Sequence, residues 1–179
     1  MKEIKHPGQI VEGDLPVKFE NQELLKTGTP TFGSRIYSRE EVERVFGSEK
    51  FMKRLRAGAL HGETLISQDD KMAGTESNFQ RAIGAIDESR VSHRINDITI
   101  DADGVVRGTV TAVGPYKGIL ELAKTEGHTP VFGLRASCNF KKVDGVDVIQ
   151  PGSLDIVTFD LISFKEEKPA FWPDNPLEG

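Results

Sequence analysis

VSHRINDITIDADGVVRGTVTAVGPYKGILELAKTEGHTPVFGLRASCNF, residues Val91 to Phe140, is the stretch whose reading decides the fold. Val91, His93 and Ile95 share one face of a strand, and Ile98 and Ile100 lead to Asp103-Gly104, a residue pair that favours a hairpin turn. Val105 to Val113 then reads as the returning strand, ended by Gly114-Pro115. Gly118 to Lys124 predicts a short helix with Ile119, Leu122 and Ala123 facing inward, and Gly127 follows as a left-handed cap. Val131 to Phe140 reads as a buried strand. The stretch carries His93 at its start and Ser137-Cys138 at its end, residue types that serve as base and nucleophile in covalent catalysis.

Downstream, Asp144-Gly145 turns the chain again and Leu154 to Phe164 (LDIVTFDLISF) predicts a last, strongly apolar strand. The tail from Lys165 to Gly179, with Pro169, Pro173 and Pro176, predicts an extended surface segment. Upstream, Ser38 is placed to cap a helix, with Glu40 and Glu41 at its positive end and Val42, Val45 and Phe46 along one face. That helix is expected to break near Gly47 and resume from Ser48 to about Arg56, with a strand from Ala59 to Ile66. Ser67 to Arg90 is polar and weakly patterned, with a helical turn around Phe79 to Ile86; loops this long in compact domains are functional, flexible or misread. Residues 1 to 33 predict one or two short strands in a loosely attached arm. Six or seven strands joined by tight turns, with two or three short helices, give an α+β fold: a mainly antiparallel β-sheet or small barrel flanked by helices. The expected organisation is an arm over 1–33, a domain over 34–164 and a tail over 165–179.

At 179 residues, with 37% hydrophobic and 28% charged residues, the chain has the make-up of one folded domain. Its 23 Lys and Arg against 28 Asp and Glu give a net charge of −5, and the one basic cluster, Lys50 to Arg56 (KFMKRLR), reads as the polar face of a short helix. Nucleic acid is therefore not expected as a primary partner. A single cysteine excludes an internal disulfide, and His6, His61, His93 and His128 share no metal-ligand spacing, so neither metal nor other cofactor is expected. No apolar run approaches membrane-spanning length and the first residues lack a signal-peptide core, which predicts a cytoplasmic protein.

The order of segments resembles the prohead (head-maturation) serine proteases of tailed bacteriophages, particularly the T-even type. Ser34-Arg35-Ile36-Tyr37 is similar to that family's Asn-Arg-x-Tyr entry to a helix. Ala59-Leu60-His61-Gly62-Glu63 is similar to the strand whose Gly-Glu pair leads to the catalytic histidine. The Val91 to Ser137 stretch and Val157 to Leu161 match the remaining core, so the resemblance covers most of residues 34 to 164. It implies a herpesvirus-assemblin-like fold, cleavage of scaffold and major capsid proteins after glutamate during head assembly, and a place in the prohead within the host cytoplasm. It also admits a homo-oligomer. Ile10-Val11-Glu12-Gly13 looks like a cleavage site of that kind within the arm.

The chain departs from the family at the chemistry. The family's histidine position after Gly-Glu aligns with Ile66, and its serine pair aligns with Arg135 and Ala136. The remaining nucleophile candidate is Ser137, which shares a strand face with Arg135. His93, in its Val-Ser-His-x-Ile context, is the preferred base, with His61 as a second choice and Asp160 as the group to orient an imidazole. Each has a plainer reading: a small strand serine, structural histidines, and a carboxylate bonded to loops. Cys138 reads as a small buried hydrophobe, and Arg135 as an oxyanion partner or one half of a salt bridge. Two functions stay open, a maturation protease or a catalytically inactive protease-fold component of the capsid or scaffold.

Overall fold

In the computed structural model the described residues are 15–31, 35–65 and 86–166. The expected cleavage site at Glu12, the aligned Ile66, the turn around Phe79 and most of the tail lie outside them. The order of elements is β1 (Lys18–Lys26), β2 (Arg35–Ile36), α1 (Arg39–Phe46), α2 (Glu49–Arg56), β3 (His61–Glu63), β4 (Val91–Ile100), β5 (Val105–Ala112), α3 (Lys117–Glu126), β6 (His128–Ser137), β7 (Phe140–Val143), β8 (Val146–Ile149) and β9 (Asp155–Glu166). The fold is α+β and mainly antiparallel, as expected, with nine strands rather than six or seven among the described residues.

The strands pair as β1-β5-β4-β3, β2-β8-β7 and β6-β9. The first and last of these sheets approach a ring. Thr64 bridges Leu161 in parallel, and Leu65 N–H donates to the Leu161 carbonyl at 2.8 Å, which joins the β3 end to β9. On the far side, β6 and β1 lie against each other without a backbone ladder among the described residues, and Gln22 Nε2 donates to the Pro130 carbonyl at 2.9 Å. The described strands thus form an open six-stranded ring with one seam, not a closed barrel.

Residues 18–26 are integral to this ring, which corrects the expectation of a loosely attached arm. β1 pairs with β5 from Lys18 opposite Thr111 to Lys26 opposite Val105, and Phe19, Leu24 and Leu25 enter the core. At the other boundary β9 continues to Glu166, two residues past the expected end of the domain.

Capping fixes the helices. Ser38 Oγ accepts from Glu41 N–H and Ser48 Oγ from Phe51 N–H, so α1 and α2 each start on a serine and break at Gly47. Arg54 donates to the Ile156 and Val157 carbonyls at 3.2 and 2.6 Å, which ties α2 to β9. α3 buries Leu120 and Ala123, while Leu122, expected inward, is exposed because the helix turns Leu120 to the core instead; it ends at Gly127 with φ 73°, the predicted left-handed cap. The core gathers Val42, Phe51, Leu60, Ile95, Leu120 and Phe159 between the helices and the ring.

Candidate functional site

At the position expected from the resemblance to hold a serine pair, β6 presents Arg135, whose guanidinium lies between β3 and β9 carboxylates. Arg135 Nε donates to Asp160 Oδ2 at 2.8 Å, and Nη2 reaches Asp160 Oδ1 at 2.6 Å and Glu63 Oε2 at 2.7 Å. Glu63 comes from β3, Arg135 from β6 and Asp160 from β9, the strand between them. All three are buried. The β3–β4 register slips between Gly62 and Glu63, the kind of bulge that re-aims a side chain. Glu63 also accepts from Asp87 N–H at 3.1 Å, and the Arg90 guanidinium stands 4.0 Å away. Asp160 further accepts from Glu63 N–H at 3.0 Å. Among the described residues two carboxylates thus face two guanidiniums in a densely bonded cluster. Burial alone would depress the Arg135 guanidinium, but the hydrogen bond and charge of Asp160, with those of Glu63, hold it above its ordinary value.

His93 lies on β4, fully buried, with both ring nitrogens engaged. Nε2 stands 2.7 Å from the Phe159 carbonyl, which can only accept, so this nitrogen carries the proton. Nδ1 accepts from Ser92 Oγ at 2.7 Å. The ring packs edge-on against Phe132 at 4.8 Å between centroids. Burial, only partly offset by the Phe159 carbonyl and Asp160, pushes the imidazole down to about 4 and keeps it neutral at pH 7. Gly62 makes this position possible. A Cβ there would collide with His93 Nε2 and the Phe159 carbonyl.

The fold brings His61, His93 and Asp160 close enough to feel one another's charge, with no hydrogen bond among them in the described residues, and leaves Ser137 apart. Ser137 is exposed at the end of β6, opposite Asp155, whose carboxylate pairs with Lys50 at 3.0 Å. His93 bonds Phe159, four residues away along β9, roughly 13 Å at strand spacing. His61 is on β3, with β9 between it and β6, and its carbonyl accepts from Thr158 Oγ1 at 2.7 Å. Burial first, then the Arg94 charge, lowers its pKa. Among the described residues Asp160 hydrogen-bonds no imidazole; both its oxygens hold Arg135. Burial raises the half-buried Cys138 thiol, against a smaller opposing effect of Arg35, which leaves little thiolate at neutral pH. Among the described residues, no group of His, Cys, Asp and Glu is arranged to hold a metal ion.

Glu63 is the site residue that the sequence reading passed over. The signal was present: an acidic residue inside an apolar strand (Ala59 to Ile66) requires a buried cation.

Arg135 borders a cleft of about 1100 Å³ between β1 and β6. Its walls include Leu24 and Leu25 from β1, Val131, Leu134 and Ser137 from β6, and Ile162 from β9. What the described arrangement supplies is a recess between two strands with a neutral ion cluster in its wall, and no paired nucleophile and base.

No family model matches the chain, and no curated protein matches it in sequence. Among solved structures it is similar to the bacteriophage T4 capsid assembly protease gp21, with a TM-score of 0.61 over 82% of this chain and 80% of that one, at 13% sequence identity. The chain therefore has the protease-like fold that its sequence resemblance implied.

Proposed function

We propose that this chain is a capsid-assembly protein of a tailed bacteriophage that has kept the prohead-protease fold and lost hydrolysis, acting by binding. The observation that carries this reading is the Arg135–Glu63–Asp160 cluster. It occupies the position where the family resemblance places the nucleophile, and it engages both oxygens of the carboxylate that would orient a base. A guanidinium held by two carboxylates neither attacks a carbonyl nor moves a proton at neutral pH. Scaffold and major capsid proteins are the partners this reading assigns, with the prohead in the host cytoplasm as the place of action.

A second reading, a serine protease that uses Ser137 to cut after glutamate, draws on one observation: Ser137 lines the cleft. Quantitative mass spectrometry of proheads and mature particles separates the two. The binding reading expects the chain in both, full length and at fixed copy number, and unchanged particles when Ser137→Ala is introduced. Disappearance of the chain from mature particles, with Ser137→Ala arresting maturation, establishes the protease instead.

A further inference from the structure

The small sheet β2-β8-β7 ends on β7. Among the described residues β7 pairs with β8 alone, and its four residues, Phe140, Lys141, Lys142 and Val143, are all exposed. The register decides which of its backbone groups are left over. Gln150 N–H donates to the Asn139 carbonyl at 2.7 Å, and hydrogen-bonded pairs alternate with non-bonded ones along an antiparallel ladder. Asn139, Lys141 and Val143 therefore turn their amides and carbonyls towards β8, while Phe140 and Lys142 turn theirs outward. An edge of this kind is a template for a further strand.

The side chains give this edge a sign. Lys141 and Lys142 point to opposite faces, and among the described residues neither is in an ion pair. Lys142 shares its face with Phe140, whose ring carries the Arg35 guanidinium at 4.8 Å. Lys141 lies opposite Val148 on the other face, beside the Val143–Val146 pair and Ile36 of β2. The hairpin's carboxylates are off the edge: Asp144 is in the turn, and Asp147 stands one strand in, next to Arg35 in register. A second copy of the chain suits this edge poorly. The two antiparallel registers that overlap β7 most fully set Lys141 against Lys141 or Lys142 against Lys142, and like charges directly opposite destabilise. Edge lysines thus block indiscriminate pairing while selecting a strand of opposite charge.

We infer that β7 is a docking edge for an extended acidic segment of another protein, which adds to the β2-β8-β7 sheet as a fourth strand with adjacent carboxylates opposite Lys141 and Lys142. The outward amides and carbonyls of Phe140 and Lys142 hold its backbone, and charge sets its identity and register. Its flanking apolar residues meet Phe140 on one face and Val143 on the other, two of the exposed large hydrophobic residues of the described chain. The edge is roughly 13 Å long at strand spacing, so each contact is weak and reversible. No β7 residue lines the cleft beside Arg135, so the inference goes beyond the proposed function and holds whether or not the chain cleaves.

The probes are three hexapeptides of threonine and valine: one with two central glutamates, one with two central lysines, and one with the second glutamate replaced by proline. Each is titrated into the isotope-labelled full chain at low salt and followed by amide NMR shifts. The glutamate peptide should bind about tenfold more tightly than the lysine peptide, the size of two cross-strand charge pairs turned from repulsion to attraction. Its shifts should centre on residues 139–143, and the proline peptide, which lacks one backbone donor, should lose most of the affinity. The double variant Lys141→Glu, Lys142→Glu changes two exposed residues, so its fold is not at stake, and it should reverse the preference between the charged peptides. No shift on β7 at millimolar peptide, equal binding of the glutamate and lysine peptides, or indifference to the proline would overturn the inference. A dimer in sedimentation equilibrium that the double variant abolishes would also overturn it, by identifying a second copy as the occupant. Cleavage of a capsid protein by the chain defeats the non-catalytic reading alone and leaves these outcomes unchanged.

Discussion

Replacing Arg135 by alanine is the perturbation whose consequence follows most fully from the structure. Among the described residues it removes three charge-assisted hydrogen bonds of 2.6–2.8 Å and leaves the Glu63 and Asp160 carboxylates buried together, with the Arg90 guanidinium 4.0 Å from Glu63. Breaking a buried ion pair by deleting one partner costs about 3–5 kcal/mol, because the charge left behind has neither water nor a counter-ion. Against the ~5–15 kcal/mol that holds a domain together this is a large fraction. At about 2–4 °C per kcal/mol for a chain of this length, the melting midpoint should fall by roughly 6–20 °C at pH 7. Urea unfolding followed by circular dichroism at pH 7 and pH 4.5 checks the amount and its origin. Protons can neutralise what the guanidinium no longer does, so the deficit of Arg135→Ala should shrink at the lower pH. The triple variant Arg135→Met, Glu63→Gln, Asp160→Asn, which removes the charges together, should recover most of the loss. A cost below about 1 kcal/mol at pH 7, or a deficit independent of pH, would refute the assignment of the cluster as the lock of the ring.

Other consequences are equally specific. Gly62→Ala drives a methyl group into His93 Nε2 and the Phe159 carbonyl, and should cost about 3 kcal/mol by urea midpoint, while Gly118→Ala in α3, which meets nothing within 4 Å, should be neutral or stabilising. Because the His93 imidazole is held at about 4 in the folded protein against an ordinary ~6.5, the unfolded chain takes up the proton first; its stabilising effect is complete above pH 6.5 and is lost as pH falls towards 4, roughly 3 kcal/mol in all. His93→Gln should flatten that part of a stability–pH curve. Glu41 sits at about 2, through Arg44 first and then the Gly152 and Leu154 amides against the cost of burial. Its contribution is present above pH 4.5 and disappears as pH drops from there towards 2, so Glu41→Gln should lower stability at pH 7 and converge with the native chain near pH 2, measured by thermal melts.

Local chemistry explains which parts of the fold were legible. The turns at Asp103-Gly104 and Asp144-Gly145, the Ser38 cap of α1, the start of α2 at Ser48 and the glycine end of α3 each depend on a few neighbouring residues, and each is where the sequence placed it. β1 was read too weakly because its alternation is broken. Its register shifts twice and Asn21 adopts φ 53°, so KFENQELLK loses the regular in-out pattern of a core strand. The β7–β8 hairpin escaped assignment for a different reason: Phe140 to Val143 is exposed on both faces and carries no burial pattern. At the site, Arg135 and Asp160 were recognised as charged strand residues, but their union with Glu63 depends on β3, β9 and β6 lying side by side. That adjacency is set by pairing across 97 residues between Glu63 and Asp160, which no local pattern records.

The central claim is that the protease fold here carries an ion cluster in place of catalysis. The most direct test is intact-mass analysis of the purified full-length chain after incubation at neutral pH with a serine-directed fluorophosphonate. The account predicts one species of unchanged mass, with no adduct and with residues 1–12 still attached. A stoichiometric adduct on Ser137, or removal of the segment ending at Glu12 that Ser137→Ala abolishes, would contradict it.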